Sequence, residues 1–209
     1  MRTPPYRIET NRLVIRCWLP SDASLMKEAV DTSLEHLRPW MAWAHYDPQP
    51  IEDKIELIRG FRSRFDAGDD FTYGIFSRDE REALGGTGLH TRVGDDAFDI
   101  GYWVRFSAVG NGLATEVAAI LTRVAFGVAE VERVEIRVDP ANEASCRVAR
   151  KLGYVEEARL RRRLPGVVPN SPKRDVVIFS MLAEEFADSP ANTMSAGVVA
   201  FDAAGRKLT

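Results

Sequence analysis

Apolar positions change period along this chain, and each change marks an element. From Ile51 to Ala67 a stripe of Ile51, Ile55, Ile58, Phe61 and Phe65 recurs at three-to-four spacing, broken only by Arg62, and predicts a helix stopped by Gly68. Residues 113–129 keep the same period through Leu113, Val117, Ile120, Leu121 and Val124. Over 133–138, RVEIRV, the period drops to two, with Val134, Ile136 and Val138 facing one way and Arg133, Glu135 and Arg137 the other. Shorter runs at 12–16, 71–76, 83–91 and 97–104 also read as strands, the last three joined by the polar turns SRDERE and RVGDD. Pro20 ends the first strand, and Ser21 followed by Asp22 predicts the N-cap of a helix over 22–31. A helix over about 142–152 closes at Gly153, and strands over 154–160 and 174–182 flank a Pro/Gly-rich loop at 164–172. Residues 33–46, broken by Pro39, read as an aromatic helical or loop segment. The order β-α-α-β-β-β-α-β-α-β-β, hairpins first and a β-α-β-α-β unit later, predicts an α+β domain with a mixed sheet.

Composition narrows the classes without naming a chemistry. A chain of 209 residues, 45% hydrophobic and 28% charged, has the size and make-up of one soluble domain. Lys+Arg 28 against Asp+Glu 31 gives a net charge of −3, without the basic excess of a nucleic-acid-binding domain, so no nucleic-acid partner is expected. No run approaches the roughly 18 apolar residues of a membrane span, so no membrane partner is expected either. The opening MRTPPYRIETNR lacks an apolar signal segment, and the two cysteines, Cys17 and Cys146, have no disulfide or metal-ligand spacing. A cytoplasmic protein without a metal site is the resulting expectation. After Asp188 the composition turns small and polar. This tail, 188–209, reads either as disordered or as a strand or hairpin turning at Asp202–Gly205 that adds to a neighbouring sheet edge and gives a homodimer.

Two stretches carry chemistry. In DIGYWVRFSAVGNGLATEV a strand ends in a loop with Gly110 and Gly112, and a helix starts at once. Backbone N–H groups of such a loop and the positive end of the helix form an anion cradle, although an ordinary turn has the same pattern. In VERVEIRVDPANEASCRVARKLGY a strand runs into a turn at Pro140 with Asn142 as N-cap. The helix that follows sets Ala144, Val148 and Leu152 toward the core and Arg147, Arg150 and Lys151 elsewhere, which is also the pattern of a plain solvated basic face.

Taken together, VGNGLA at one strand–helix junction and DPANEAS with KLGY at the next resemble the acyl-CoA-binding half of the GNAT superfamily of N-acetyltransferases. TNRLVIRCW, GYWV and the closing RDVVIFSML resemble its RimJ/RimL-like branch, and the resemblance covers residues 8–187. It implies a GNAT acyltransferase domain over 1–187, with a mixed, mostly antiparallel twisted sheet flanked by helices. It also implies acetyl-CoA as co-substrate and direct transfer of the acetyl group to a primary amine, at a protein N-terminus or on a small molecule. The family loop R/Q-x-x-G-x-G/A falls on Val109, Gly112 and Ala114. The pyrophosphate of CoA is therefore expected against Val109, Gly110, Asn111, Gly112, Leu113, Ala114 and Thr115, with a valine where the family carries Arg or Gln.

The same resemblance distributes further roles. The GYWV strand and strand 133–138 are expected to splay around the pantetheine arm, with the thioester carbonyl on a backbone N–H near Trp103 or Val104. Asn142 would meet the pantetheine, and Arg147 and Lys151 the nucleotide phosphates. Many superfamily members place a tyrosine acid where this chain has Ala149. Ser145 matches the serine that serves instead in the RimJ/RimL-like branch, while Glu157 and His90 are candidate bases. By the resemblance, Trp40, Trp43, His45 and Tyr46, with His90, fall where the acceptor is bound; acceptor recognition in the family also draws on the 162–173 loop, and Arg161 to Arg163 there are basic. The departures at Val109 and Ala149 leave a non-catalytic acyl-CoA-binding module as the alternative. Succinyl transfer and an antibiotic acceptor are others.

Overall fold

The structure is a computed structural model and describes residues 2–168 and 170–208. In chain order it forms β1 (Arg7–Glu9), β2 (Leu13–Cys17), α1 (Ala23–Asp31), α2 (Leu34–Leu37), α3 (Ile51–Ala67), β3 (Phe71–Ser77), β4 (Ala83–His90) and β5 (Ala97–Val104). There follow α4 (Leu113–Gly127), β6 (Arg133–Val138), α5 (Glu143–Lys151), β7 (Val155–Leu164), β8 (Arg174–Leu182), α6 (Ala183–Phe186), α7 (Pro190–Met194) and β9 (Val199–Phe201). The architecture is α+β, with one sheet in the order β7-β8-β6-β5-β4-β3-β2-β1-β9. Its neighbouring strands run antiparallel except β5 and β6.

Periodicity located the longest elements. Helix α3 spans the predicted 51–67, and Gly68 closes it in the left-handed region at φ 78°. Strand β6 occupies 133–138, and the alternation there has a plain cause. Val134, Ile136 and Val138 join the core under α4, while Glu135 lies on the opposite face. At the start of α1 the N-cap position falls on Asp22 rather than Ser21. Its buried carboxylate accepts from the Leu19 N–H at 2.8 Å and from Arg16 at 2.7 Å.

The two faces of the sheet carry separate cores. On one, Phe98, Ile100 and Val104 of β5 pack against Val117, Leu121 and Val124 of α4. On the other, Val14, Phe76 and Ala83 pack against Ala23, Met26 and Val30 of α1 and Ile58 of α3. Leu121 and Val117 are fully buried, each removal from water being worth roughly 1.5–3 kcal/mol.

Two three-residue strands have too few positions to show a period, and the sequence reading missed β1. It treated β9 as part of a tail. In the structure β9 pairs antiparallel with β1 of its own chain, Ile8 opposite Ala200. The chain then turns at Asp202–Gly205, where the Asp202 N–H donates to the Arg206 carbonyl at 3.0 Å. Helix α7 packs on α4, fastened by Arg123, which donates to Ser195 Oγ at 2.9 Å and to the Asn192 carbonyl at 2.7 Å. Ala191 and Ala200 are fully buried, so the 188–209 segment contributes side chains to the core of the sheet it borders.

Candidate active site

Strands β5 and β6 pair only over Ala97–Arg133, Phe98–Val134 and Asp99–Glu135. Beyond that point each follows a different neighbour. β5 stays with β4 as far as Val104 opposite Gly85, and β6 stays with β8 as far as Val138 opposite Val177. The result is a V-shaped slot between Gly101–Val104 and Ile136–Val138. Backbone groups alternate in direction along an antiparallel ladder. The Arg105 N–H donates to the Leu84 carbonyl of the β4 side at 2.9 Å, so Trp103 also faces β4 and the N–H of Val104 faces the slot.

Past β5 the chain makes a short turn at Phe106–Ala108 and enters α4 through Gly110 and Gly112, at φ 85° and 73°. A side chain at either glycine would meet no protein atom within 4 Å, so the backbone there is open on its outer side. The first-turn N–H groups of α4, from Leu113 on, point into this space. Leu113 and Thr115 are buried and offer only backbone, whereas Val109 is exposed. The arrangement suits an anion held by peptide N–H groups.

Helix α5 lies past the end of β6. Its cap is Asn142, whose Oδ1 accepts from the Ser145 N–H at 3.2 Å. The core face consists of Cys146, Val148, Ala149 and Leu152; Ala144, expected inside with Val148 and Leu152, is exposed because it lies in the first turn of the helix, beyond the core that the later turns cover. Arg150 is held by Glu143 at 3.0 Å and Glu156 at 3.2 Å. Arg147 and Lys151 are exposed and stand outside any ion pair among the described residues.

One contact runs from β5 to the helix that follows β6. The Tyr102 hydroxyl of β5 lies 2.8 Å from Ser145 Oγ of α5. Burial pushes the Tyr102 phenol up to about 12, with the Ser145 hydrogen bond offsetting part of that, so it holds its proton at neutral pH. Tyr102 was not singled out from the sequence, although the alternation of GYWV sets it on the α4 face beside Ile100 and Val104. That face, together with a serine in the first turn of the next helix, is the signal that identifies it.

The opposite face gathers most of the acceptor candidates. The Trp103 indole lies over Gly86, where an added Cβ would stand 2.5 Å from its Nε1. It meets Trp43 edge-to-face, with centroids 5.8 Å apart. His45 Nε2 sits 3.0 Å from the Arg38 carbonyl and lines a cavity of about 480 Å³ with Glu35, Arg38, Pro39, Val167 and Val168. The last two come from the loop after β7, so the 162–173 segment does reach the aromatic one. Trp40 is half-buried and Tyr46 exposed, and neither lines that cavity. Two ties fix this wall. The Phe106 N–H donates to buried Ser33 Oγ at 2.9 Å, and Lys54 of α3 pairs with Asp47 at 2.5 Å, both nearly inaccessible to water.

The two candidate bases have different surroundings. Glu157, on the outer strand β7, is engaged by Arg133. That hydrogen bond holds its carboxyl below the usual carboxylate range against slight desolvation, and Ser180 adds to it. His90, at the end of β4, is bonded through Nδ1 to Asp70 Oδ1 at 2.7 Å. Its ring covers Gly88 and Gly101, where added Cβ atoms would stand 2.8 Å and 3.1 Å from Nε2. Burial raises the Asp70 carboxyl, but the hydrogen bonds from His90 and Thr72 outweigh it, and the net shift is downward.

Residues 12–155 match the family model described as an acetyltransferase (GNAT) domain. Among curated proteins, the chain is 25% identical over 159 residues to the [Ribosomal protein uS5]-alanine N-acetyltransferase of Escherichia coli, covering 74% of this chain and 80% of that one. It is 26% identical over 176 residues to the uncharacterized N-acetyltransferase YoaA of Bacillus subtilis, covering 84% and 96%. Among solved structures, Mycobacterium smegmatis RimJ in complex with CoA-disulfide superposes with a TM-score of 0.77 at 26% identity, covering 92% of each chain.

Proposed function

This chain belongs to the GNAT family of acetyltransferases, and on that premise we propose that it moves the acetyl group of acetyl-CoA onto the terminal amine of a protein. The observation that carries the reading is the splayed β5–β6 pair with the Tyr102–Ser145 hydrogen bond between β5 and the start of α5 beside it. A thioester lying in the slot has the Val104 N–H on one side and two hydroxyls beside its sulfur.

In this reading the diphosphate of CoA rests on the backbone of Val109 to Thr115. Asn142 meets the pantetheine arm, and Arg147 and Lys151 meet the nucleotide phosphates. The open outer side of Gly110 and Gly112 leaves room for the phosphates, and an anion there needs no side chain at Val109. The amine nitrogen attacks the carbonyl carbon and the C–S bond breaks. Charge developing on the carbonyl oxygen is met by the Val104 N–H, a contribution of about 3–4 kcal/mol when such a donor is well placed. The departing sulfur takes a proton from the Tyr102–Ser145 pair, and Tyr102 thereby supplies the phenol that the chain lacks at Ala149. The protein acceptor is favoured by the relative whose name specifies the alanine of ribosomal protein uS5, and by the cavity between the aromatic segment and the 162–173 loop.

Incubation with acetyl-CoA and a panel of peptides bearing ribosomal-protein N-termini, read by mass spectrometry, tests the proposal. A gain of one acetyl group on the terminal amine is expected, together with stabilisation against heat by CoA. Absence of any CoA-induced stabilisation would remove the reading.

A further inference from the structure

The acetyl transfer proposed above needs an acceptor amine that has lost a proton, because most terminal amines carry a charge at neutral pH. The Tyr102–Ser145 pair lies on the α4 face of the sheet. Trp103, Trp43 and the acceptor cavity lie toward the other. The base therefore belongs on that second face, near the place where β5 leaves β6.

We infer that His90, oriented by Asp70, is the group that takes the proton from the acceptor amine. This rests on the acetyl-transfer reading, and five features of the structure support it. Gly86, Gly88 and His90 of β4 share a face with Trp103, Gly101 and Asp99 of β5, because each is the other's direct partner in the ladder. The imidazole leans over Gly88 and Gly101, and it reaches the mid-strand position only because both lack a side chain. Gly101 is two residues beyond the last β5–β6 pair and about 7 Å along the strand from Trp103. A carboxylate accepts and does not donate, so Asp70 fixes the proton of His90 on Nδ1 and leaves the lone pair on Nε2. Nε2 has no protein partner among the described residues, and the ring is neither sealed off nor loose, at 19% side-chain exposure.

Other charges around the ring are compatible with the role. Arg64, at the end of α3, acts on Asp70 and keeps it ionised, and Thr72 Oγ1 donates to Asp70 Oδ2 at 3.0 Å. Asp99, opposite His90 on β5, is occupied by Arg92 at 2.5 Å. Glu157 is separated from β5 by β8 and β6 and is neutralised by Arg133, so it has neither the position nor the basicity. The step balances with no further reactant. Because the ring lies over Gly101, about 7 Å along the strand from Trp103, the nitrogen loses its proton through intervening water to His90 Nε2 as the C–N bond forms, and the sulfur gains one from the pair on the far face.

The test compares wild-type protein, His90→Gln, Asp70→Asn and Asp70→Glu in acetyl transfer to a peptide amine between pH 6 and 9, with CoA binding followed in parallel. His90→Gln should lower kcat/KM by about a hundredfold or more while CoA binds within twofold of wild type. Asp70→Asn should lower it about tenfold while CoA again binds within twofold of wild type. Asp70→Glu should recover part of the rate. A His90→Gln rate within threefold of wild type, or an Asp70→Glu rate no better than that of Asp70→Asn, overturns the inference. Wild-type protein that neither binds CoA nor transfers acetyl defeats the reading beneath it instead. In that case nitrogen-15 NMR of His90 still decides on the dyad. The proton should sit on Nδ1 in wild type and leave it in Asp70→Asn, and an Nε2–H ring in wild type overturns the role of Asp70.

Discussion

The Tyr102 hydroxyl and Ser145 Oγ stand 2.8 Å apart although 43 residues separate them, one on a strand and the other in the first turn of a helix beyond the next strand. This bond lies beside the gap that opens where β5 leaves β6. If it delivers the proton to the leaving thiolate, Tyr102→Phe should lower kcat about tenfold to a hundredfold, the low end for general acid catalysis because a thiolate needs little help. CoA affinity should hardly change. Ser145→Ala added to Tyr102→Phe should cost little more than either alone, because the two hydroxyls act as one unit. Steady-state kinetics on the double-mutant cycle checks this, and strictly additive losses would show two independent roles.

Alkaline stability follows from the buried phenols. Desolvation raises Tyr73 and Tyr154 well above their ordinary value of 10.0, and Tyr102 to about 12. The folded state keeps these protons while the unfolded chain loses them above pH 10. Their stabilising contribution is therefore complete below about pH 10 and declines as pH rises toward 12 and beyond. Each phenol adds up to about 1.4 kcal/mol of lost stability per pH unit in that window. Thermal unfolding between pH 8 and 12 should show Tm falling only above pH 10. Tyrosinate absorbance from these residues should appear with unfolding and not before it.

The glycine cradle gives a prediction that separates folding from binding. Gly112→Ala places a residue at φ 73° and should cost roughly 1 kcal/mol of stability. Its methyl meets no protein atom, so the fold should survive. The same methyl enters the space assigned to the diphosphate, and CoA affinity should fall more than tenfold. Calorimetry with CoA and circular dichroism on the same sample distinguish the two effects.

At the neighbouring position the expectation reverses. Val109 is exposed, and by the resemblance it stands where the family's loop carries Arg or Gln. Val109→Arg should strengthen CoA binding roughly threefold to tenfold, the range for one charge-assisted contact at a partly exposed site. The gain should shrink as salt rises. Titrations at two ionic strengths check it.

Gly86→Ala addresses the acceptor wall. The new methyl collides with the Trp103 indole and pushes it against Trp43. KM for a peptide acceptor should rise severalfold while the CoA dissociation constant stays within twofold. An equal change in both would mean that Trp103 serves the donor side.

Local signals made a large part of this molecule legible. Helix α3 and its Gly68 stop were readable because seventeen residues carry one period and one terminator. The turn into α4 was readable because glycines at a strand–helix junction act through their own backbone. Strand β1 went unread because three residues have no period to display, and β9 was read only as one option for the tail, a strand or hairpin against disorder, because only its partner makes it a strand. Ala144 shares a stripe with buried Val148 and Leu152 but is exposed, because periodicity gives the face of a helix and not how far along it the core reaches. His90 was visible only as an isolated histidine. Nothing within a few residues of it announces Asp70, twenty positions earlier, or the bare backbone of Gly101 that its ring covers.

Patterning, turn chemistry and the two glycine-bearing junctions sufficed for the α+β class and for the order of the main elements from β2 to β8. All of these are set by forces acting within a few residues, such as burial of one face, capping and backbone freedom. The opening between β5 and β6, the Tyr102–Ser145 bond beside it, the choice of the Val104 amide over that of Trp103, and the Asp70–His90 pair on the far face emerged only on folding. Each depends on which strand becomes a neighbour, on the register of that pairing and on the twist of the whole sheet. Those are long-range consequences of packing nine strands against helices on both faces, and no short stretch of chain encodes them alone.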